Sequence, residues 1–164
     1  MLKKFVLTAA FVVAACSLIQ AADYSKLPKP LDNAKVGQWV HYKIMGGMEQ
    51  KQSITAIEGD GDDRVITLTI EIMQNGAVVQ SQETKLNLKE AKAQEEAARA
   101  STPDVTIVEE TITVNGKSYD AVVVEGEANG MKSRIYMSEK IPVSGMLKMD
   151  AGGMAMLELV DFGE

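Results

Sequence analysis

Methionine is the residue type whose number and spacing most directly suggest chemistry in this chain. The 164 residues include 10 methionines. Two of them, Met45 and Met48, flank a Gly-Gly pair, and four surround a second Gly-Gly pair, namely Met146, Met149, Met154 and Met156. Thioether sulfur is a soft ligand that suits Cu(I), so one hypothesis is a copper site formed by Met45, Met48, Met146, Met154 and Met156. Methionine also fills irregular apolar surfaces, and packing or lining a cavity is the commoner explanation.

Histidine and cysteine are too few for the usual catalytic or metal-binding sets. His41 is the only histidine and Cys16 the only cysteine. Zinc sites and catalytic triads need several such residues, and a disulfide needs a second cysteine. No spacing of carboxylates brings two together, and no glycine-rich phosphate loop is present. We therefore predict a protein that is not an enzyme, with no catalytic residues and no cofactor.

An acidic stretch at residues 58–63 raises the question of calcium. Its sequence, Glu-Gly-Asp-Gly-Asp-Asp, alternates glycine with carboxylates. An EF-hand loop counted from Asp60 would need its bidentate glutamate at Glu71, which falls inside a strand-like run. Alternating Gly and Asp is also typical of an exposed turn, and we favour that interpretation.

The first 21 residues have the parts of an export signal. Lys3 and Lys4 give a positive start, residues 5–19 are mostly apolar, and Ala21 is followed by a second alanine. The apolar part is shorter than the ~20 residues of a membrane-spanning helix. We predict that residues 1–21 direct the chain to the periplasm or the extracellular space.

Two ways of processing this segment remain open. Cleavage after Ala21 would release a soluble protein. Alternatively, residues 13–16 (Val-Ala-Ala-Cys) resemble the bacterial lipobox, in which case Cys16 is lipidated and anchors the protein to the outer membrane. The apolar residues that follow Cys16 argue against the anchor, and its being the only cysteine argues for it. Contact with a membrane is expected only through this anchor.

Net charge excludes one class of partner. Removal of residues 1–21, which contain two lysines and no acidic residue, changes the formal net charge from −6 to about −8. Phosphate binding needs a positive field, so nucleic acid is not an expected partner.

The rest of the chain reads as one antiparallel β domain. Residues 22–35, with Pro28 and Pro30, are predicted to be a tether or a capping segment, and residues 36–164 a single domain. Alternation of apolar and polar residues, clearest in residues 64–73, is the period of a half-buried strand. Three Asn-Gly pairs favour type I′ hairpins, at Asn75, Asn115 and Asn129. The pattern predicts about nine strands in an antiparallel meander that forms a curved sheet or half-barrel.

One helix interrupts the meander. Residues 88–100 are rich in Ala, Glu, Lys and Gln, which are good helix formers. Asn87 is suited to cap the helix, with Glu90 three residues later. We predict a helix over residues 88–100 that packs on or across the sheet.

This order of elements resembles that of bacterial periplasmic lipoprotein carriers and outer-membrane lipoprotein receptors. The resemblance covers most of residues 36–163, from the first strand at Trp39-Val40-His41-Tyr42, and is one of architecture. The C-terminal part, residues 141–163, looks like that of small exported bacterial proteins of unknown function. The resemblance to the carriers implies a half-barrel whose concave face binds a lipid or another apolar ligand.

Three hypotheses about function follow. The first is an exported, non-enzymatic envelope protein that binds an apolar ligand on the concave face. The second is a structural or adaptor domain that binds an envelope protein and no small molecule. The third is the Met-rich Cu(I)-binding protein. Ligand identity, oligomeric state and physiological role are left open by the sequence.

Overall fold

The segments in which apolar and polar residues alternate form nine strands in the folded chain. The computed structural model describes residues 24–99, 105–128 and 130–164. The strands within these ranges are β1 Trp39–Ile44, β2 Met48–Glu58, β3 Val65–Gln74, β4 Ala77–Asn87, β5 Thr106–Val114, β6 Lys117–Ala128, β7 Met131–Met137, β8 Met146–Ala151 and β9 Met154–Gly163. All pairs of neighbours are antiparallel, in the order β4-β3-β2-β1-β9-β8-β7-β6-β5, and the sheet is curved and unclosed. The predicted fold class is confirmed.

Tight turns join most consecutive strands. Asn75 and Gly76 have φ values of 52° and 75°, and Asn115 and Gly116 have 49° and 75°. Two successive positive φ angles are what a type I′ turn requires, so these two hairpins form as predicted. In the third predicted hairpin Gly130 has φ of 76°, whereas Asn129 lies outside the described residues.

The predicted helix begins where its cap was expected. Helix α1 spans Leu88–Arg99, and the backbone N–H of Glu90 donates to Asn87 Oδ1 at 3.2 Å. Ala100 lies outside the described residues. Strand β4 ends at one end of the sheet and β5 begins at the other. Helix α1 and the residues after it therefore carry the chain from one open edge of the sheet to the other.

The two faces of the sheet differ in character. The face that carries Val40 and Tyr42, here called the inner face, holds much of the core, and both residues are almost fully buried. One apolar row crosses this face in direct register from β1 to β5, namely Ile44, Leu157, Met149, Ile135, Val124 and Ile107. The opposite, outer face carries charged residues in most strands.

Two irregular segments pack against each other at the end of the sheet where β7 ends and β8 begins. Leu27 and Pro28, in the segment predicted to be a tether or cap, are buried. Gly145 lies against Pro28 and Pro30, and a Cβ placed on it would be 3.4 Å from each. Ile141 and Val143 in the loop of residues 138–145 are also buried.

Within the described ranges, no helix has both the length and the apolar character needed to cross a membrane. Residues 1–21, the predicted export signal, and Cys16 within them lie outside those ranges.

Candidate functional site

The inner face of strands β1–β4 carries no charged side chain in the part of the chain that the structure describes. Two rows cross these four strands in direct register, Tyr42-Gln50-Ile72-Gln80 and Val40-Gln52-Ile70-Gln82. The register places every charged residue of β1–β4 on the outer face; in β2 the irregularity between Ile54 and Ala56 shifts the alternation, so that Glu58 pairs with Val65 and faces outward. These residues are Lys43, Glu49, Lys51, Glu58, Glu71, Glu83 and Lys85. The inner face there is apolar except for uncharged polar side chains, most of them glutamine.

Two of the glutamines are buried without full hydrogen bonding. Gln50 is only 1% exposed and Gln52 only 3% exposed. Both polar atoms of the Gln50 amide, and Nε2 of Gln52, have no hydrogen-bond partner among the described residues. Buried polar groups in folded proteins are nearly always paired, so an unpaired amide here requires an explanation. Gln80 and Gln82, two strands away, are half-buried.

Tyr42 lies beside Gln50 and is already fully engaged. Its hydroxyl donates to the backbone carbonyl of Met146 at 3.0 Å and contacts Ser144 Oγ. Ser144 Oγ in turn accepts from the Met146 N–H at 3.2 Å. Burial raises the pKa of Tyr42 above its ordinary value, and the hydrogen bond with Ser144 opposes this only in part. Tyr42 is therefore a neutral structural group and has no free hydrogen-bonding capacity to offer Gln50.

The single histidine lies on the outer face. His41 Nε2 is 2.9 Å from Glu49 Oε2, and its side chain is 22% exposed. On the same face Lys51 Nζ lies 4.9 Å from the centre of the Trp39 ring. These contacts are those of a polar sheet surface.

A charged network occupies the outer face of the other half of the sheet. Arg134 approaches Glu110 at 2.6 Å and Glu125 at 2.7 Å, and it donates to the Tyr136 hydroxyl at 2.9 Å. The contact between Arg134 Nε and Glu125 is short, but its angles are not those of a hydrogen bond. The network cross-links β5, β6 and β7, and each charge in it faces an opposite charge.

The acidic stretch of residues 58–63 runs from the end of β2 into a turn, and two of its carboxylates face lysines. A 3₁₀ turn spans Gly61–Asp63. Lys92 of helix α1 is 2.8 Å from Asp62, and Lys89 is 3.6 Å from Asp63. In the described ranges no cluster of three or more His, Cys, Asp or Glu side chains could hold a metal ion.

One end of the sheet, here called the turn end, exposes apolar side chains. It carries the turns at residues 45–47, 75–76 and 152–153 and Gly130. Of the seven large apolar side chains exposed in the described residues, five lie there: Met45 (50%), Val78 (51%), Val79 (56%), Met131 (56%) and Met154 (59%). The described turn residues there are uncharged, so apolar groups face solvent without charged neighbours in the turns.

The methionines nominated for copper fall into two places. Met45 and Met156 are joined by a backbone hydrogen bond of 3.0 Å from N to O, and Met48 and Met154 lie at the same turn end. Met146 is buried at the opposite end of β8, beside Tyr42. Met131, which was not nominated, lies against Gly152 at the turn end. A Gly-Met step precedes Met131 as it does Met48 and Met154, but the same step at 145–146 leads to the buried Met146, so the sequence alone did not mark Met131 as a turn-end residue.

A separate cleft of about 320 Å³ lies where the tip of the β5–β6 hairpin meets β9. Asn115 Nδ2 donates to the Leu159 carbonyl at 2.6 Å and holds the tip in place. The cleft is bordered by Lys117 and Asp161 as well as by Val114 and Phe162. Its position follows from the docking of the hairpin, and two of its lining residues, Leu159 and Phe162, are the register partners in β9 of Tyr42 and Val40, which begin the two glutamine rows.

Comparison of the chain with models of known protein families gives no match, and comparison with curated proteins gives none either. Function must therefore be argued from the geometry of the site. The residues that sequence reasoning missed are Tyr42, Gln50 and Gln52. The first six residues of β2, Met-Glu-Gln-Lys-Gln-Ser, are polar at nearly every position, so alternation alone did not show which of them face inward.

Proposed function

We propose that this chain is an exported, non-enzymatic envelope protein that binds a lipid or another largely apolar ligand on the inner, concave face of a half-barrel. The observation that carries this proposal is the inner face of β1–β4, which holds no charged side chain, in a single curved and unclosed sheet. A one-sheet protein ordinarily exposes its polar face to water and packs its apolar face against another layer. In this chain the inner-face residues of β1–β3 are buried in a core shared with β5 and β6, so a ligand would enter from the β4 edge, where Gln80 and Gln82 are half-buried.

Helix α1 is suited to cover a ligand without being a rigid part of the core. Leu88 at its start is buried, whereas the described side chains of residues 89–97 are exposed apart from Ala91, which is half-buried. Ion pairs from Lys92 to Asp62 at 2.8 Å and to Asp32 at 3.2 Å hold it near the end of β4. Exposed ion pairs contribute little stability, so the helix is held loosely beside the end of β4.

Burial of a hydrocarbon chain on such a face supplies enough binding energy. A chain of about ten carbons at ~0.8 kcal/mol per CH₂ gives several kcal/mol, which leaves micromolar affinity after the costs of association. The resemblance of the element order to lipoprotein carriers and receptors makes an acyl chain the ligand we propose.

Titration with an apolar fluorescent dye, N-phenyl-1-naphthylamine, tests the proposal. Ile72 lies on the inner face and is 7% exposed, so Ile72→Phe should fill the binding region and weaken dye binding about tenfold. Met73→Phe, on the next residue of β3 and facing outward, is the matched control and should bind as the wild type does. Circular dichroism and urea unfolding must show both variants folded. Equal dye binding by both variants, or no binding by the wild type, contradicts the proposal.

The turn end favours a second candidate function, an adaptor that binds an envelope protein partner. Met45, Met131 and Met154 expose half or more of their surface on separate hairpins of one end. A photo-crosslinking residue in place of Met154 should capture one protein partner in cells, and a protein that also carries Met45→Ser and Met131→Ser should lose it. The same crosslinker in place of Lys43, on the outer face, is the control. Crosslinks to lipid alone, or the same products from both positions, contradict the adaptor.

Export and anchoring are proposed from residues 1–21 and are tested by fractionation. Cells that express the full chain or Cys16→Ala are separated into cytoplasmic, periplasmic and membrane fractions. A wild-type protein in the membrane fraction that Cys16→Ala moves to the soluble envelope fraction establishes lipidation. A soluble envelope fraction that is the same for both proteins establishes release after Ala21, and retention in the cytoplasm contradicts export.

A further inference from the structure

The unpaired amides of Gln50 and Gln52 are the least explained feature of the inner face. Three of their polar atoms, Gln50 Oε1 and both Nε2 atoms, have no hydrogen-bond partner among the described residues. An amide buried in this way has lost its bonds to water and gained none in return, which destabilises the folded chain. Leucine would fill the same space without this cost. The presence of two such residues on alternate positions of one strand points to a partner that arrives from outside the chain.

The surroundings restrict the chemistry of that partner. Within the described part of β1–β4, all charged side chains lie on the outer face, so an ionised group brought to Gln50 would find no counter-charge. Burying an unpaired charge is far more costly than burying a neutral polar group. The neighbour of Gln50 in β1, Tyr42, is neutral and already bonded to Met146 and Ser144. The partner must therefore be uncharged and must supply an oxygen acceptor for the two Nε2 groups.

An apolar row begins one side-chain position away from Gln50. Met48 lies on the same face of β2, and its register partner Ile44 starts the row that runs through Leu157 and Met149 toward β5. A ligand that places a polar group at Gln50 and Gln52 can therefore lay an attached hydrocarbon chain along that row. Access is from the β4 side, where Gln80 and Gln82 in the same two rows are only half-buried.

We propose that Gln50 and Gln52 recognise the neutral, oxygen-bearing head of an amphipathic ligand, such as a fatty amide, a fatty ester or a long-chain alcohol. Gln52 and Gln50 donate through Nε2 to the ligand oxygen, and Gln50 Oε1 accepts from an N–H or O–H of the same head where it has one. The inference deepens the function proposed above and rests on it. Free fatty acids, which are ionised at neutral pH, and alkyl amines, which are protonated, are the ligand classes that this site disfavours.

Competition between ligands of one chain length tests the proposal. Dodecanamide, dodecanol, dodecanoate and dodecylamine are used to displace N-phenyl-1-naphthylamine from the wild-type protein near neutral pH. The amide and the alcohol should displace the dye at about tenfold lower concentration than the two charged compounds, because one buried hydrogen-bond mismatch is of that order. Dodecanoate that competes as well as dodecanamide overturns the proposal.

Variants separate recognition by the two glutamines from a general preference for neutral compounds. Gln50→Leu and Gln52→Leu, alone and together, should still bind the dye but lose the preference for dodecanamide over dodecanoate. Ser53→Leu, on the outer face of the same strand, should keep it. The leucine variants should also unfold at a higher urea concentration than the unliganded wild type. A lower midpoint shows that the amides have partners within the folded chain, and this result overturns the proposal.

The outcome distinguishes the inference from the function on which it rests. A wild-type protein that does not bind the dye contradicts ligand binding on the inner face altogether. A protein that binds the dye, in a manner sensitive to Ile72→Phe, but shows no selectivity among the four compounds contradicts only the assignment to Gln50 and Gln52.

Discussion

The Tyr42 hydroxyl donates a hydrogen bond to the backbone carbonyl of Met146 at 3.0 Å and so ties the first strand to the start of the eighth. With the Ser144 hydroxyl donating to the Tyr42 oxygen, and the Met146 N–H donating to Ser144 Oγ at 3.2 Å, the three groups form a closed cycle. The Tyr42 and Ser144 hydroxyls each donate one hydrogen bond and accept one, and the Met146 carbonyl oxygen only accepts, so no two donors face each other. The loop before it turns sharply, since Val143 has φ of 65° and the Ser144 N–H bonds to the Pro142 carbonyl at 2.7 Å.

Loss of this cycle should measurably destabilise the protein. Tyr42→Phe keeps the buried ring but leaves the Met146 carbonyl without its donor, which we expect to lower the free energy of unfolding by about 1–3 kcal/mol. Tyr119→Phe is the matched control, because Tyr119 is also buried and its hydroxyl makes no hydrogen bond in the described residues. Urea unfolding followed by circular dichroism gives both values. Equal losses in the two variants would refute the role of the cycle.

Alkaline pH should destabilise the wild type through the same residue. Burial raises the pKa of Tyr42 in the folded state, so above pH ~10 the unfolded chain releases this proton and the folded chain does not. The contribution to stability is complete below pH ~10 and is lost as the pH rises above it. Burial also raises the pKa of Tyr136, in the same direction. Between about pH 10 and 11.5 we expect the free energy of unfolding to fall less steeply with pH in Tyr42→Phe than in the wild type. An unchanged slope would contradict the assignment.

Arg134 should stabilise the fold mainly by offsetting the repulsion between Glu110 and Glu125, and only weakly through the strength of its ion pairs. Arg134→Met leaves Glu110 and Glu125 facing each other on the outer face, and we expect a loss of roughly 1 kcal/mol, since ion pairs of partly exposed side chains are weak. Adding Glu110→Gln and Glu125→Gln to Arg134→Met should recover most of that loss by removing the repulsion. Thermal unfolding of the three proteins measures both effects. A triple variant that is less stable than Arg134→Met would show that the carboxylates have other partners.

Helix α1 should open locally when its ion pairs are removed. Lys92 lies between Asp62 and Asp32, and its hydrogen bond lowers the pKa of Asp62. Lys92→Ala should increase amide hydrogen exchange in α1 severalfold without moving the midpoint of global unfolding. Because the pKa of Asp62 is lowered in the folded chain, its contribution to holding the helix is present above pH ~4 and is lost as the pH falls below that value. Acid should therefore also increase amide exchange in α1. Lys85→Ala, on the outer face of β4, is the control. Unchanged exchange in Lys92→Ala contradicts loose attachment of the helix by these pairs.

The fold was accessible from the sequence because its signals are local. Alternation in residues 64–73 identified β3, and the Asn-Gly pairs at 75–76 and 115–116 fixed two hairpins through backbone angles that those residues favour. Asn87 and Glu90 marked the start of α1 to the residue. Each of these features depends on a few neighbouring residues, which is why it could be read without tertiary information.

The inner-face site depends on contacts between distant residues and was not accessible in the same way. Gln50 and Gln52 alternate with Glu49 and Lys51, so both faces of this part of β2 look polar in sequence, and only pairing with Tyr42 and Ile70 assigns the glutamines to the inside. The Tyr42–Met146 bond joins residues 104 positions apart. Likewise, Met131 joins the turn end only because β7 pairs with β8.

The measurement that most directly tests ligand binding on the inner face is mass spectrometry of the protein purified from its own host without detergent. Native spectra of the intact protein, together with an organic extract, should reveal a stoichiometric amphipathic molecule with a neutral head, and Ile72→Phe should reduce its occupancy. A clean extract, with native spectra that show only the apoprotein for both wild type and variant, would contradict the account.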